Sequence, residues 1–240
     1  AARHTDVVVC VSDVLRNELT TALQGCRVPL VCIENGIDVE RYSPGPRPAR
    51  LGQELGIPEH GIVIGSIGRL ESVKRYDRLL QAFRLLKSSL VNAPPLYLVI
   101  AGDGSERGRL ETLAAELALS EWVRWCGWVT DPLDHYRLCD VFALTSDTEG
   151  IPLSLLEAMA CGIAPVVTDV GVNRVVLGAE LEGQAITRDN LHGIAAALAA
   201  LVGSRDLRVS VGQRARQRVV ERYSLDRMVT AYESVYRGAT

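Results

Sequence analysis

Short, continuous apolar runs constrain the fold of this chain more than any other feature of its sequence. From residue 61 onward they occur at 62–67, 96–101, 123–125, 141–145 and 164–168. Strands buried on both faces have this continuous pattern, whereas strands with one face in water alternate apolar and polar residues. Helical segments separate the runs. This alternation predicts an α/β fold with a doubly wound parallel sheet, similar to a Rossmann fold.

The segments between these runs have the 3.6-residue apolar spacing of amphipathic helices. The first of them carries one apolar stripe, formed by Tyr76, Leu79, Leu80, Phe83, Leu86 and Leu90. Further helices are predicted at 109–119, 154–160, 191–202, 206–221 and 225–237. Ser224 precedes the last helix and is predicted to cap it.

The first 60 residues are organised differently. Residues 1–40 are typical of a strand, a helix capped by Ser12 or Asp13, a second strand and a turn. Pro44, Pro46 and Pro48 follow, and proline favours a stiff extended connection because it fixes φ and lacks an amide hydrogen. We therefore predict a linker at 41–60, a main domain at 61–222 and a terminal helical segment at 223–240.

Composition excludes several classes of protein. The net charge is −3 and the basic residues are scattered, which argues against a strongly basic nucleic-acid surface. The six cysteines and four histidines lack metal-binding spacing, which predicts reduced thiols in a cytoplasmic setting and no metal site. Seven arginines between residues 205 and 227 leave two interpretations open: a basic helix at the inner face of a membrane, or a solvated outer helix face.

Two basic residues follow the first apolar run of the main domain. In doubly wound folds ligands bind beyond the carboxyl ends of the strands. Arg69 and Lys74 lie five residues apart across such a strand-to-helix turn. Cations beside the free amides of a helix N-terminus suit a phosphate or diphosphate. The alternative is a pair of surface ion pairs, Arg69 with Glu71 and Lys74 with Asp77.

Two other loops carry glycines at strand ends. Residues 101–108 do not match Gly-x-Gly-x-x-Gly, because Arg107 occupies the third glycine position, so we exclude a nicotinamide dinucleotide site. The glycines instead predict a tight turn with close backbone approach. The Gly127–Trp128 turn leaves two interpretations, core packing of the indole and a border for a nucleobase.

A pair of carboxylates follows the fourth run. Glu149 lies in a polar loop, Pro152 suits the first turn of the next helix, and Glu157 follows one to two turns later. Carboxylates accept hydrogen bonds from sugar hydroxyls, so this pair is suited to binding two sugar rings. The alternative is a carboxylate that stabilises the helix dipole together with a solvated helical glutamate.

Taken together, these motifs resemble the C-terminal donor-binding domain of retaining GT-B glycosyltransferases of family 4, or group 1. The resemblance rests on Gly68-Arg69-Leu70 with Lys74, on Ala101-Gly102-Asp103-Gly104, and on the Glu-x7-Glu motif from Glu149 to Glu157. Further matches are Asn35-Gly36-Ile37-Asp38 with Tyr42, Leu155 through Gly162 with Pro165-Val166-Val167, and Arg222-Tyr223-Ser224.

The resemblance implies a role for each site residue. Arg69 and Lys74 would hold the diphosphate of a UDP-, GDP- or ADP-sugar. Glu149 would contact the transferred sugar and Glu157 the ribose. The amides of Gly150, Ile151 and Leu153 would assist. The resemblance also implies transfer with retention of configuration, with no metal and no cofactor. The stretch 171–174 departs from the family pattern, so no sugar-specific role is predicted for it.

The resemblance further implies that residues 1–40 are the tail of an N-terminal acceptor-binding domain, to which the helix at 223–240 crosses back. The expected activity is hexosyl transfer to a glycan or lipid-linked acceptor in bacterial surface polysaccharide or lipopolysaccharide synthesis. We expect the 240-residue chain alone to transfer little sugar. The alternatives are a non-catalytic nucleotide-sugar-binding domain and a GT-B-like epimerase or phosphorylase.

Overall fold

The structure is a computed structural model that describes residues 5–23, 28–90, 94–187 and 189–238. Parts of the predicted segments 1–40 and 223–240 therefore lie outside the described residues. The strands are β1 (Val8–Cys10), β2 (Leu30–Cys32), β3 (Ile62–Ile67), β4 (Leu96–Ala101), β5 (Val123–Gly127), β6 (Val141–Leu144), β7 (Ala164–Thr168) and β8 (Ala185–Ile186).

Helices follow most of the strands. They are α1 (Asp13–Ala22), α2 (Ala49–Glu54), α3 (Tyr76–Ser89), α4 (Arg107–Glu116), α5 (Leu133–Leu138), α6 (Leu153–Ala160), α7 (Asn173–Leu177), α8 (Leu191–Gly203), α9 (Arg205–Arg222) and α10 (Leu225–Tyr236). The predicted helices are present with shifted ends, and α4 begins two residues earlier than predicted. The short helices α2, α5 and α7 were not predicted, because five or six residues are too few to show a periodic pattern.

The described residues form a six-stranded parallel sheet in the order β5-β4-β3-β6-β7-β8. The chain first adds strands on one side of β3 and then returns to add β6, β7 and β8 on the other, which is the doubly wound arrangement that the sequence predicts. The register is regular between β3 and β4, from Ile62 opposite Leu96 to Ile67 opposite Ala101. Two-residue β8 was missed because it is too short to form a recognisable apolar run.

The core lies on both faces of this sheet. Every residue of β4 is buried, as the continuous apolar run predicts. Leu79, Leu80 and Phe83 of α3 are completely buried in the same core. Ser12 accepts a hydrogen bond from the Leu15 amide and so caps α1. Ser224 is the N-cap residue of α10, as predicted, but its side chain makes no capping hydrogen bond.

The N-terminal segment is joined to the end of the chain. Strands β1 and β2 form a separate two-stranded parallel sheet. Arg222 donates two hydrogen bonds to Glu34, at 2.8 and 2.9 Å. Ile37 forms a bridge with Ser224, immediately before α10. No described residue of α10 is buried, and Val229 is 44% exposed. The apolar side of this helix is therefore only partly covered: Met228 is half-buried and accepts a hydrogen bond from the Gly36 amide at 3.2 Å.

The arginine-rich stretch is mostly engaged within the molecule. Four of its seven arginines donate to backbone carbonyls: Arg208, Arg214, Arg216 and Arg218. Arg216 joins α9 to the carbonyls of Tyr42 and Ala160. These arginines therefore fasten α9 to the rest of the fold. The other side of the helix, with Asp206, Gln213 and Gln217, is exposed, in agreement with the interpretation as a solvated outer face.

Candidate functional site

Glycines allow three neighbouring strands to converge at their carboxyl ends. The amide of Gly102 donates to the Gly127 carbonyl at 2.7 Å, and the amide of Gly68 donates to the Ala101 carbonyl at 3.0 Å. A Cβ atom on Gly102 would lie 1.9 Å from the Gly68 carbonyl oxygen. No side chain fits in that space. The close backbone approach predicted for residues 101–108 is therefore present.

Lys74 and Glu149 meet at the same edge of the sheet. The Lys74 Nζ atom lies 2.7 Å from Glu149 Oε1. The Glu149 side chain is only 7% exposed. The alternative pairing of Lys74 with Asp77 is wrong, because Asp77 pairs with Arg75. The loop after β3 and the loop after β6 thus bring one cation and one carboxylate into contact.

Arg69 is also at this edge, at the end of β3. Its side chain is exposed, and within the described part of the chain it forms no ion pair. Glu71 instead accepts a hydrogen bond from the Ser105 hydroxyl at 2.9 Å, so the alternative pairing of Arg69 with Glu71 is wrong. The Arg69 guanidinium is therefore open to a ligand.

Lys74 was predicted at the start of a helix, and this is wrong. It instead ends a one-turn 3-10 helix at Ser72–Lys74. Arg75 follows in the left-handed conformation, with φ of 51°. Residues with a side chain rarely adopt that conformation. Its cost is met by contacts of the Arg75 guanidinium with Asp77 and Asp147, at 3.0 Å in each case.

Arg78 and Asp147 extend this network into the loop that carries Glu149. Arg78 donates to the Thr145 carbonyl at 2.7 Å and to Asp147 Oδ1 at 2.8 Å. Burial opposes ionisation of the Asp147 carboxyl, but hydrogen bonds from Arg78 and Arg75 outweigh that effect and lower its pKa. This network was not predicted from the sequence. Its trace there is a pair of arginines three residues apart, Arg75 just before α3 and Arg78 in its first turn.

Buried polar groups support Glu149 from the other side. The Ser146 hydroxyl donates to Glu149 Oε1 at 2.5 Å. The Thr168 hydroxyl donates to the Ser146 carbonyl, and Asn173 donates to the Thr168 carbonyl. Ser146, Thr168 and Asn173 are completely buried. Glu149 therefore sits at the end of a hydrogen-bond chain that crosses from β7 to β6.

The N-terminus of α6 is close by in sequence. Pro152 is its N-cap, and no side chain caps the helix. A Cβ atom on Gly150 would have no neighbour within 4 Å, whereas Ile151 is buried and Leu153 is 47% exposed. Open space beside Gly150 and an uncapped first turn leave backbone N–H groups available for an anion.

Glu157 lies one turn into α6 and is half-buried. Its Oε2 atom accepts a hydrogen bond from the Tyr136 hydroxyl at 2.6 Å. Burial raises the pKa of Glu157, while hydrogen bonds from Tyr136 and Tyr42 oppose the rise. The interpretation of Glu157 as a solvated helical residue is therefore wrong. Tyr42 belongs to the predicted linker, so this contact also ties that segment to α6.

The tryptophans in β5 and just after it differ in exposure. Trp125 is partly buried, and the Arg107 guanidinium lies 5.0 Å from its ring centre. Trp128 is 72% exposed, so the core-packing interpretation of this indole is wrong. Gly127 precedes it with a positive φ of 66° and open space on its Cα. The turn therefore presents a flat apolar surface at the same sheet edge.

Two further structural findings concern the described residues only. They contain no group of three or more His, Cys, Asp or Glu side chains arranged to hold a metal ion. None of their helices combines the length and apolar character needed to cross a bilayer.

The six-stranded parallel sheet flanked by helices is an α/β fold of the kind found in GT-B glycosyltransferases. The profile of the family described as glycosyl transferases group 1 matches residues 50–218. The chain belongs to this family.

The chain is also similar to individual glycosyltransferases along most of its length. The chain is 30% identical, over 98% of its length, to a D-inositol 3-phosphate glycosyltransferase of Saccharomonospora viridis. It is 26% identical, over 96% of its length, to the lipopolysaccharide core biosynthesis glycosyltransferase LpsE of Rhizobium meliloti. The crystal structure of Anabaena Alr3699/HepE in complex with UDP and glucose superposes over the whole chain with a TM-score of 0.85 and 22% identity.

The chain spans only part of each of these proteins. It covers 56% of the Saccharomonospora protein, 64% of LpsE and 64% of the HepE chain. The similarity to HepE shows a shared fold.

Proposed function

We propose that this chain is the donor-binding part of a retaining glycosyltransferase of family 4. In this proposal it binds a nucleoside-diphosphate sugar, and the whole protein transfers the sugar to a glycan or lipid-linked acceptor. The observation that carries the proposal is the contact between Lys74 and Glu149, 2.7 Å apart beside the uncapped N-terminus of α6. A cation, a carboxylate and free amides at one point suit a ligand with both phosphate and hydroxyl groups.

The chemistry follows from where charge develops. When the bond to the sugar breaks, negative charge grows on the departing nucleoside diphosphate, and prearranged cations and amides stabilise it. Lys74 has three N–H donors, so it can contact Glu149 and a phosphate oxygen together. The exposed Arg69 and the amides of Gly150, Ile151 and Leu153 would add to this stabilisation. None of these steps requires a metal or a cofactor.

The two carboxylates have separate proposed roles. Glu149 is held by Lys74 and Ser146 through the same oxygen, Oε1. We assign its other oxygen, Oε2, to a hydroxyl of the transferred sugar. Glu157, one turn into α6, would accept hydrogen bonds from the ribose. In a retaining reaction the acceptor attacks on the face from which the diphosphate leaves, so Glu149 needs to orient the sugar and not to attack it.

The acceptor part of the proposal rests on the relatives and on the exposed surfaces. LpsE is a lipopolysaccharide core biosynthesis glycosyltransferase, which supports a bacterial surface glycan as the product. The incomplete burial of α10, in which no described residue is fully buried, supports a preceding acceptor-binding domain as its partner. We place the whole protein in the cytoplasm, with peripheral contact at the inner membrane face where a lipid-linked acceptor would lie.

The phosphorylase alternative lacks a suitable lysine. A pyridoxal cofactor would need a free amine for a Schiff base. The chain has two lysines, Lys74 and Lys87. Lys74 pairs with Glu149, and the Lys87 amine lies 3.3 Å from the centre of the Trp122 ring. Neither amine is free for a Schiff base, which argues against a phosphorylase.

Calorimetry with UDP-, GDP- and ADP-sugars tests the proposal, with Lys74→Ala and Lys87→Ala as a matched pair. Loss of one direct phosphate contact costs about 1.5–3 kcal/mol, so we expect Lys74→Ala to weaken binding roughly 10-fold or more. Lys87 lies at the other end of α3, and its removal should change affinity less than about twofold. Equal effects of the two changes would refute the phosphate assignment. A folded wild-type chain that binds none of the donors would refute the proposal itself.

A further inference from the structure

Two hydrogen bonds to backbone carbonyls join the loop with Lys74 to the loop with Glu149. The Asp147 amide donates to the Val73 carbonyl at 2.9 Å, and the Thr145 hydroxyl donates to the Arg75 carbonyl at 3.0 Å. The two acceptors, Val73 and Arg75, are the residues on either side of Lys74. The two donors, Thr145 and Asp147, lie a few residues before Glu149. A change in this junction would therefore alter the distance between the two proposed donor-binding groups.

The Asp147 carboxylate joins the same two loops through its side chain. Oδ2 accepts from Arg75 at 3.0 Å, and Oδ1 accepts from Arg78 at 2.8 Å. Arg78 is 4% exposed, and its only other acidic neighbour among the described residues is Asp189, at 3.9 Å. Each carboxylate oxygen thus serves a different arginine, so one side chain links the turn before α3 to the start of α3.

Arg75 shows why this link matters for Lys74. The backbone of Arg75 is left-handed, a conformation that costs a non-glycine residue about 1–2 kcal/mol. Asp147 holds this guanidinium from the Glu149 loop, while Asp77 holds it from α3 at 3.0 and 3.2 Å. The turn that aims the Lys74 side chain therefore depends on a carboxylate that belongs to the other loop.

We propose that Asp147 is a positioning residue, which sets the Lys74–Glu149 geometry through Arg75 and Arg78. The consequence for donor binding rests on the function proposed above, but the geometric effect does not. Asp147 acts through the two arginines and does not itself touch the donor.

The geometric effect can be read without any ligand. Because the chain has only two lysines, labelling lysine with 13C at Cε gives one resonance for Lys74 and one for Lys87. We expect Asp147→Asn to move the Lys74 resonance and to leave the Lys87 resonance in place. Asp206→Asn, a matched charge change on exposed α9, should move neither. An unchanged Lys74 resonance in folded Asp147→Asn would overturn the proposal.

The effect on binding is read from the ratio of UMP to UDP dissociation constants, with GMP and GDP used instead if the wild type prefers guanosine. Lys74 acts on the diphosphate, so Asp147→Asn should lower this ratio at least threefold while UMP affinity stays within about twofold. A merely structural defect would weaken both ligands equally. Equal ratios in wild type and variant would also overturn the proposal.

Arg75→Gly provides a second variant that should fold, because glycine relieves the left-handed strain. It removes one of the two arms that Asp147 holds. We expect a smaller shift of the Lys74 resonance than in Asp147→Asn, and a double variant that adds less than the sum of the two. Strict additivity would refute the shared link. If the Lys74 resonance responds as expected but the wild type binds no nucleoside diphosphate, the proposed function fails and the positioning role stands.

Discussion

Replacing Gly171 with alanine would test whether backbone packing fixes the position of Glu149. Gly171 follows β7 with φ of +53°, and a Cβ atom there would lie 1.9 Å from the Glu149 carbonyl oxygen. Ordinary contacts begin near 3.4 Å, so the two segments must separate by about 1.5 Å. The Lys74–Glu149 contact of 2.7 Å would not survive such a displacement.

The expected cost has two parts. A left-handed alanine costs about 1–2 kcal/mol, and forcing an extra methyl into a packed contact costs about 1–3 kcal/mol. We therefore expect the free energy of unfolding to fall by about 2–5 kcal/mol, measured by urea denaturation with intrinsic fluorescence. Nucleoside-diphosphate affinity, measured by calorimetry well below the melting temperature, should fall roughly 10-fold or more because Glu149 and Lys74 separate.

Gly108→Ala is the matched control, because a Cβ atom there meets nothing within 4 Å and the residue lies in α4. It should stabilise the protein by roughly 0.5–1 kcal/mol and leave affinity unchanged. If Gly171→Ala keeps wild-type stability and affinity, the packing of this glycine against the Glu149 loop does not fix the site.

Three further outcomes are expected. Tyr136→Phe removes the hydrogen bond to Glu157. Because the acceptor is charged, the free energy of unfolding in urea titrations should fall by about 1.5–3 kcal/mol. No change would mean that Tyr42 compensates. Trp128→Ala should weaken nucleotide binding in calorimetry without changing the melting temperature, because the side chain is exposed; a large drop in melting temperature would contradict this. Because the pKa of Asp147 is lowered in the folded state, its carboxylate stabilises the protein fully above about pH 4, and this stabilisation is lost as the pH falls through the folded-state pKa. In thermal melts from pH 7 to pH 3, the melting temperature should therefore fall more steeply for wild type than for Asp147→Asn. Parallel curves would show that the carboxylate contributes nothing.

Glu149 is more buried and more tightly paired than a carboxylate in an exposed loop. Its side chain is 7% exposed and is neutralised by a lysine from a loop that lies 75 residues earlier in the chain. A carboxylate with this little exposure is costly to leave unpaired. Lys74 therefore stabilises the folded site in addition to its proposed role in donor binding, so the stability of Lys74→Ala should be measured together with its affinity.

Local sequence determined much of this protein. Continuous apolar runs are a direct consequence of burying a strand on both faces, so the strands of the main sheet could be located, as could the long helices with an apolar stripe. Glycine at strand ends also pointed correctly to close backbone approach, as the 1.9 Å gap between a Cβ atom on Gly102 and the Gly68 carbonyl shows.

Side-chain pairing was decided only by the tertiary structure. Lys74 could have paired with Asp77, three residues away. Because of the left-handed turn at Arg75, Asp77 pairs with Arg75 instead, and Lys74 pairs with Glu149. In the same way Asp147 meets Arg78 only because parallel strands bring their carboxyl ends to one edge. Hydropathy patterns record which faces are buried, whereas such contacts depend on turn geometry and strand order, which one stretch of sequence does not specify.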